Sequence, residues 1–429
     1  MVKPVTQGSN STAHGYGGGG GASYDANGAG NAATLFTPWT LSGVSAPSTY
    51  SNGYNTGQGF AYILPLIGCN PVTGSTTTPA PTTPASTSTT PVPTTTTAAP
   101  TTTPGPPVRP SQLIWGNVTA SNWTGLVNHI VTLGLAASQT TFTAVRNITY
   151  EGTLPSDPNY IISQASTSQI PNILLVAFCA KYGNAPNCTA AAIQGLFVWA
   201  TTLVPSGDPI DGSLLFPWIQ AYDLMRPILV GLLTPDNITT LDDFVYLLID
   251  AGDAFVQNPQ PNNHITYHYT LRALGAVVLA DQGLINSTYQ LVNEFVIYNI
   301  YDDGSTQDFY QRDAIYYVVY GLEAWMYMVL YTPQILSNTA LTLINLAINW
   351  LQPYCLGTLT HIEFLHTTVT FDVRRMQDGL PIFQNLPWNY SEAFNLLDEA
   401  VLVFPNVAAW AIPKFAPPPS YSLTIVMQV

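Results

Sequence analysis

Residues 313–331 read DAIYYVVYGLEAWMYMVLY. Apolar side chains recur there at threes and fours and cover a broad face, the pattern of a helix packed among other helices. The same spacing extends outward in both directions. It runs through LFVWATTLV (196–204), FPWIQAYDLMRPILVGLL (216–233), LDDFVYLLIDAGDAFV (241–256) and ITYHYTLRALGAVVLA (265–280). STYQLVNEFVIYNI (287–300) and TALTLINLAINWLQ (339–352) continue it. Breakers separate them: PSGDP at 205–209, TPDN at 234–237, NPQPNN at 258–263 and DDGS at 302–305. Short-looped helices with broad apolar faces predict helical hairpins packed side by side, a mainly α fold over residues 109–415.

The flanks differ in composition. Residues 1–70 are rich in Gly, Ser, Asn and Tyr, with GYGGGGGASY at 15–24 and NTGQGFAYILPLIG at 55–68. Such glycine density disfavours a helix. The segment resembles glycine-rich β modules of adhesins and receptor ectodomains, or else is a flexible arm, and self-assembly through it is one expectation. Residues 71–108 are almost entirely Thr, Pro, Ser and Ala. This is a mucin-like linker: it has no core to bury, and its hydroxyls suit O-glycosylation. The tail at 416–429 ends in YSLTIVMQV, which alternates and is read as a strand or docking tail.

Of the 429 residues, 46% are hydrophobic and only 8% charged, with 10 Lys and Arg against 24 Asp and Glu, a net charge of −14. Nucleic acid is an improbable partner, because phosphate neutralisation needs a basic face. No apolar run is long enough to read as a membrane span. The N-terminus lacks the basic-then-apolar pattern of a signal peptide, so the leader has been removed, the chain is an internal fragment, or export takes another route. Acceptor sequons at Asn10, Asn117, Asn122, Asn147, Asn187, Asn237, Asn286 and Asn389 point to N-glycosylation and an extracellular, cell-surface or virion-surface location. Cys179 and Cys188 bracket a short turn and are expected to form a local disulfide, whereas Cys69 and Cys355 are either free or paired across domains. Cysteine and histidine spacing suggests no zinc site, and no cofactor is expected. His264 and His268 sit at helical spacing, but HITYH lacks the glutamate of a zinc-protease motif.

Three motifs in order carry the chemistry: PNNHITYHY (261–269), DDGSTQDFYQRDA (302–314) and YGLEAW (320–325). Together they resemble the alginate lyase family of polysaccharide lyases. FVWA (197–200), AYDL (221–224) and PWNYSEAFNLLDEAVLVFP (387–405) extend the likeness over roughly residues 110–415. The resemblance implies an incomplete α/α toroid, an acidic polysaccharide as partner, and β-elimination. In that reaction the uronate C5 proton is removed and the C4 oxygen is expelled. The adjacent carboxylate must be neutralised and the developing enolate held by donors such as an amide, an imidazole or a guanidinium.

Carried across residue by residue, the resemblance implies that Asn263 neutralises the carboxylate and that His264 neutralises it or acts as base. Arg312 is implied as a clamp and Tyr320 as the catalytic acid/base. The family places its Tyr seven residues after its Arg, whereas Tyr320 follows Arg312 by eight. One residue turns a helix by about 100°. Either Arg312 lies in a loop ahead of the helix or one assignment is wrong, with Tyr316 the fallback. The family's HNY before the Tyr reads YVV here.

Each residue also has a plainer reading. Asn262 is a candidate substrate contact or simply an N-cap. Trp199, Tyr222, His268 and Arg272 are candidate substrate contacts or packing residues. His361, His366, Arg374 and Arg375 are candidates for a far cleft wall. The alternative function is a non-catalytic structural or adhesive glycoprotein that keeps the lyase-like scaffold.

Overall fold

The computed structural model describes residues 124–256 and 262–415, all of it helix and connecting loop. The glycine-rich segment, the linker, Cys69, Asn10, Asn117, Asn122 and the C-terminal tail lie outside the described residues. The helices are α1 (Thr124–Ala137), α2 (Pro158–Thr167), α3 (Ile170–Gly183), α4 (Pro186–Thr202), α5 (Pro209–Ser213), α6 (Phe216–Leu232), α7 (Pro235–Phe255) and α8 (Asn263–Leu279). They continue with α9 (Gln282–Asn299), α10 (Gln307–Arg312), α11 (Ile315–Tyr331), α12 (Asn338–Trp350), α13 (Gln352–Cys355), α14 (Thr370–Gln377), α15 (Phe394–Val403) and α16 (Pro405–Phe415). Among the described residues there is no strand, only isolated bridges between Ile300 and Thr306 and between Ile362 and Pro387.

The breakers work as local chemistry requires. Asp208 caps α5, Thr234 caps α7 and Asn262 caps α8, each accepting a free backbone N–H of the first turn. Proline stands in the first turn of α4, α5 and α7, where its missing N–H costs nothing.

Consecutive hairpins α3–α4, α6–α7, α8–α9, α11–α12 and α15–α16 pack in series. Their first helices form an inner layer in which α3 meets α6, α6 meets α8, α8 meets α11 and α11 meets α15. Their second helices lie outside. This is the incomplete α/α toroid. Inner helices must be apolar almost all round, and α8 is buried at every residue but His264. Helix α1 approaches α3 closely, and a Cβ at Gly134 would lie 2.5 Å from the Leu175 carbonyl oxygen.

The disulfide between Cys179 and Cys188 is present, with Cα atoms 5.8 Å apart, and staples α3 to α4 across a left-handed Asn184. Cys355 is buried and pairs with no described cysteine. Asn147, Asn187, Asn286 and Asn389 are exposed and Asn237 is partly so. No described helix is long and apolar enough to cross a membrane.

Candidate functional site

Two neighbouring inner helices each leave a few side chains incompletely buried. On α8 the exception is His264; on α11 the exceptions are Tyr316, Tyr320 and Glu323. The last three follow i, i+4, i+7 spacing, one stripe of a helix otherwise enclosed by protein. The helices run parallel. Asn263 lies against Gly321, the Tyr267 hydroxyl donates to the Tyr320 carbonyl (3.1 Å), and the Thr270 hydroxyl donates to the Ala324 carbonyl (3.0 Å). His264 and Tyr316 each lie in the first turn of their own helix, and the start of α8 is level with Gly321, about a turn and a half into α11.

Asn262 caps α8 through its side-chain oxygen, which accepts the His264 N–H at 3.2 Å. Asn263 is fully buried, and neither its amide nitrogen nor its oxygen has a partner. An unpaired buried polar group costs about 1–3 kcal/mol, so the amide is held without partners at a cost. The His264 Nε2 is likewise shielded and unpartnered. Burial, then the positive charges of Arg312 and Arg375, push the His264 pKa down to about 3, so the ring is neutral at physiological pH.

Arg312 ends α10, Asp313 turns the chain in a left-handed conformation (φ 52°), and α11 begins two residues later. Arg312 and Tyr320 thus sit on different helices, and the eight-residue spacing carries no rotational penalty. Arg312 does not stand open to a ligand, however. Its Nη1 donates to both oxygens of Asp372 on α14 (2.7 and 2.8 Å), and its guanidinium lies 3.8 Å from the centre of the Tyr317 ring. Arg375, also on α14, donates to the Tyr317 hydroxyl (2.9 Å) and stands 3.5 Å from Asp372.

Tyr320 stacks on Tyr316 with ring centres 6.3 Å apart and packs on Tyr267 at 4.6 Å. Burial and the neighbouring phenols raise the Tyr316 pKa well above its usual value. Behind them, Glu363 accepts the N–H groups of Ile315 (2.9 Å) and Tyr316 (3.0 Å), a cap for α11 supplied from a distant loop.

Several other expectations give way to packing. Trp199 and Tyr222 are fully buried, and Tyr222 donates to Asp242, so neither ring is accessible to a sugar. His268 and Arg272 both pair with Asp253 on α7, and Arg272 also donates to Ser287 and Thr288 on α9. They tie hairpins together. A cavity of about 20 Å³ beside His268 has room for one water and not for a sugar. Of the expected far wall only Arg375 reaches the cluster. His361 bonds back to Asp313, while His366 and Arg374 are exposed.

Asp308 and Glu323 were not singled out from sequence. Asp308 is buried beside Asn263, whose backbone N–H it accepts, and one carboxyl oxygen is unpartnered. Burial raises its pKa to about 7 against the pull of Arg312. Glu323 keeps some contact with solvent, yet surrounding protein alone pushes its carboxyl up to about 8.

The arrangement sets an imidazole on α8 and a stripe of phenols and a carboxyl on the parallel α11, beside a buried amide. Residues 239–336, which contain all of these but the α14 groups, match the alginate lyase family model. The resemblance read from the three motifs is confirmed over that stretch. Among solved structures, an alginate lyase from Bacteroides ovatus is similar at 14% identity and a TM-score of 0.48, over 68% of this chain and 90% of that one. No curated protein matches the chain.

Proposed function

We propose that the helical domain is a polysaccharide lyase that cleaves an acidic polysaccharide at a uronate by β-elimination. The observation that carries this reading is the cleft stripe: on α8 and α11 the side chains left unburied are His264, Tyr316, Tyr320 and Glu323. His264, neutral and with Nε2 unpartnered, takes the C5 proton; the substrate carboxylate beside it favours the charged ring and so raises a basicity that burial holds low in the empty site. The electron pair of the C–H bond forms the C4–C5 double bond, and the C4–oxygen bond breaks. Tyr320, one helix away, returns a proton to the leaving oxygen. Asn263 supplies its unpartnered amide to the substrate carboxylate, which lowers the cost of the enolate.

Arg312 contributes differently from the clamp implied by the resemblance. Bound to Asp372 and stacked on Tyr317, it acts through the field it sets at His264 and the packing it gives α11. That engagement also favours a second reading, a carbohydrate-binding scaffold without catalysis.

A panel of polyuronates followed at the ultraviolet absorbance of unsaturated ends separates the two. Wild-type protein is expected to release such ends from at least one polymer, and His264→Ala to lose at least 100-fold, in line with removal of a general base. Absence of unsaturated ends across the panel, or an unaffected His264→Ala, overturns the lyase reading.

A further inference from the structure

Each of the three motifs that carry the family likeness also holds residues that do not belong to the stripe, and these meet in one buried place. Asp308 of DDGSTQDFYQRDA (302–314) accepts the backbone N–H of Asn263, the first residue of α8. It also takes a side-chain hydrogen bond from Asn299, the last residue of α9. Asn299 in turn accepts the indole N–H of Trp325 on α11 at 2.9 Å. Gly321 closes the contact: a Cβ there would lie 3.7 Å from the Asp308 Oδ2 and 3.9 Å from the Asn263 Cβ. Asn263, Asn299, Asp308 and Trp325 come from four helices, and all are at most 2% exposed.

Both bonds to Asp308 fall on one oxygen, because Oδ1 has no partner. A carboxyl so placed takes a proton on Oδ1 and keeps both bonds, and burial raises its pKa to about 7. Enclosed hydrogen bonds that run in series reinforce one another and fix a single arrangement. Asp308 holds the first N–H of α8 and Asn262 holds the next, that of His264, so the start of the helix is secured from two sides. Tyr320 directly precedes Gly321 on the helix opposite.

Building on the lyase reading, we infer that Asp308, Asn299 and Trp325 form a buried joint that holds the first turn of α8 against α11 and so sets the spacing of His264 and Tyr320. Asp308 is its centre, a positioning residue that touches no substrate and moves no proton in the reaction. What it supplies is geometry, and a misplacement of about 1 Å lowers a rate by about 100-fold.

The test follows kcat and KM on the polyuronate panel, and hydrogen exchange at the Asn263 amide, in three full-length variants. Asp308→Leu removes the acceptor. It is expected to lose kcat by about 100-fold with KM changed less than threefold, and to exchange at least tenfold faster at Asn263. Asp308→Asn keeps an acceptor oxygen for both bonds and is expected to stay within threefold of wild type in kcat and in exchange. Trp325→Phe keeps a ring and loses the indole N–H; kcat is expected to fall at least fivefold. A folded Asp308→Leu with kcat within threefold of wild type, or an Asp308→Asn as impaired as Asp308→Leu, overturns the inference. Should Asp308→Leu fail to fold, Trp325→Phe decides, and a fall smaller than fivefold overturns it. If the wild type cleaves no polymer, the lyase reading falls by itself. The joint is then judged on exchange: it stands if Asn263 exchanges faster in Asp308→Leu and Trp325→Phe than in wild type and Asp308→Asn, and falls otherwise.

Discussion

His264 and Asp308 stand within one cluster yet shift in opposite directions, and the pH dependence of stability separates them. The folded chain holds His264 neutral down to about pH 3, whereas an unfolded histidine titrates at about 6.5. Between those values the unfolded chain binds a proton that the folded one refuses, so stability falls as pH drops through the window. Asp308 is the reverse: it keeps its proton up to about pH 7 when folded and loses it near 3.8 when unfolded, so its part of the stability falls as pH rises. Urea unfolding from pH 4 to pH 7 is expected to show a shallower loss toward acid in His264→Gln and a smaller loss toward neutrality in Asp308→Asn. Slopes identical to wild type in both variants would contradict the two assignments. From motif order alone the imidazole, the amide and the phenol were named as candidates. Asp308 and Glu323 were not, because a lone carboxylate in a helical stretch reads as a solvated face until the fold encloses it.

Helix ends show where sequence reasoning was sufficient and where it was not. Asp208, Thr234 and Asn262 cap their own helices, and such local bonds are visible as residue types at fixed offsets. Helix α11 has no cap of its own; Glu363, about fifty residues downstream, provides it, and no local pattern announces that. Glu363→Ala is expected to cost about 1–3 kcal/mol by leaving two backbone donors of α11 without their partner. If Tyr316 and Tyr320 form the cleft wall, it should also raise KM. Helix α14 is eight residues long and reads as a polar loop or helix end, since its burial rests on Arg375 and Asp372 pairing with groups from other helices. The Cys179–Cys188 pair, by contrast, was legible because the two cysteines flank a short turn. Replacing both with serine is expected to lower stability by about 2–3 kcal/mol, with a matching drop in Tm that reductant reproduces in the wild type.

At the scale of the molecule, the toroid was readable because inner helices need apolar residues nearly all round, and α3, α8 and α11 carry them on most faces. Order among the hairpins followed from short loops. The acidic balance is a whole-molecule property too. At net charge −14 the chain repels a polyanion at long range, and salt screens that repulsion over about 8 Å at physiological ionic strength. kcat/KM on a uronate polymer is therefore expected to rise between low and moderate salt, the opposite of an enzyme with a basic groove. A fall would show that local cations dominate. The parallel course of α8 and α11 bears on the same shortage of cations. The peptide dipole of each helix points its positive end toward its own first turn, which holds His264 on α8 and Tyr316 on α11, each end equivalent to about half an elementary charge. That field belongs to the backbone, does not titrate, and fades within a turn, so it favours an anion at the helix mouths. A census of side-chain charges misses it altogether.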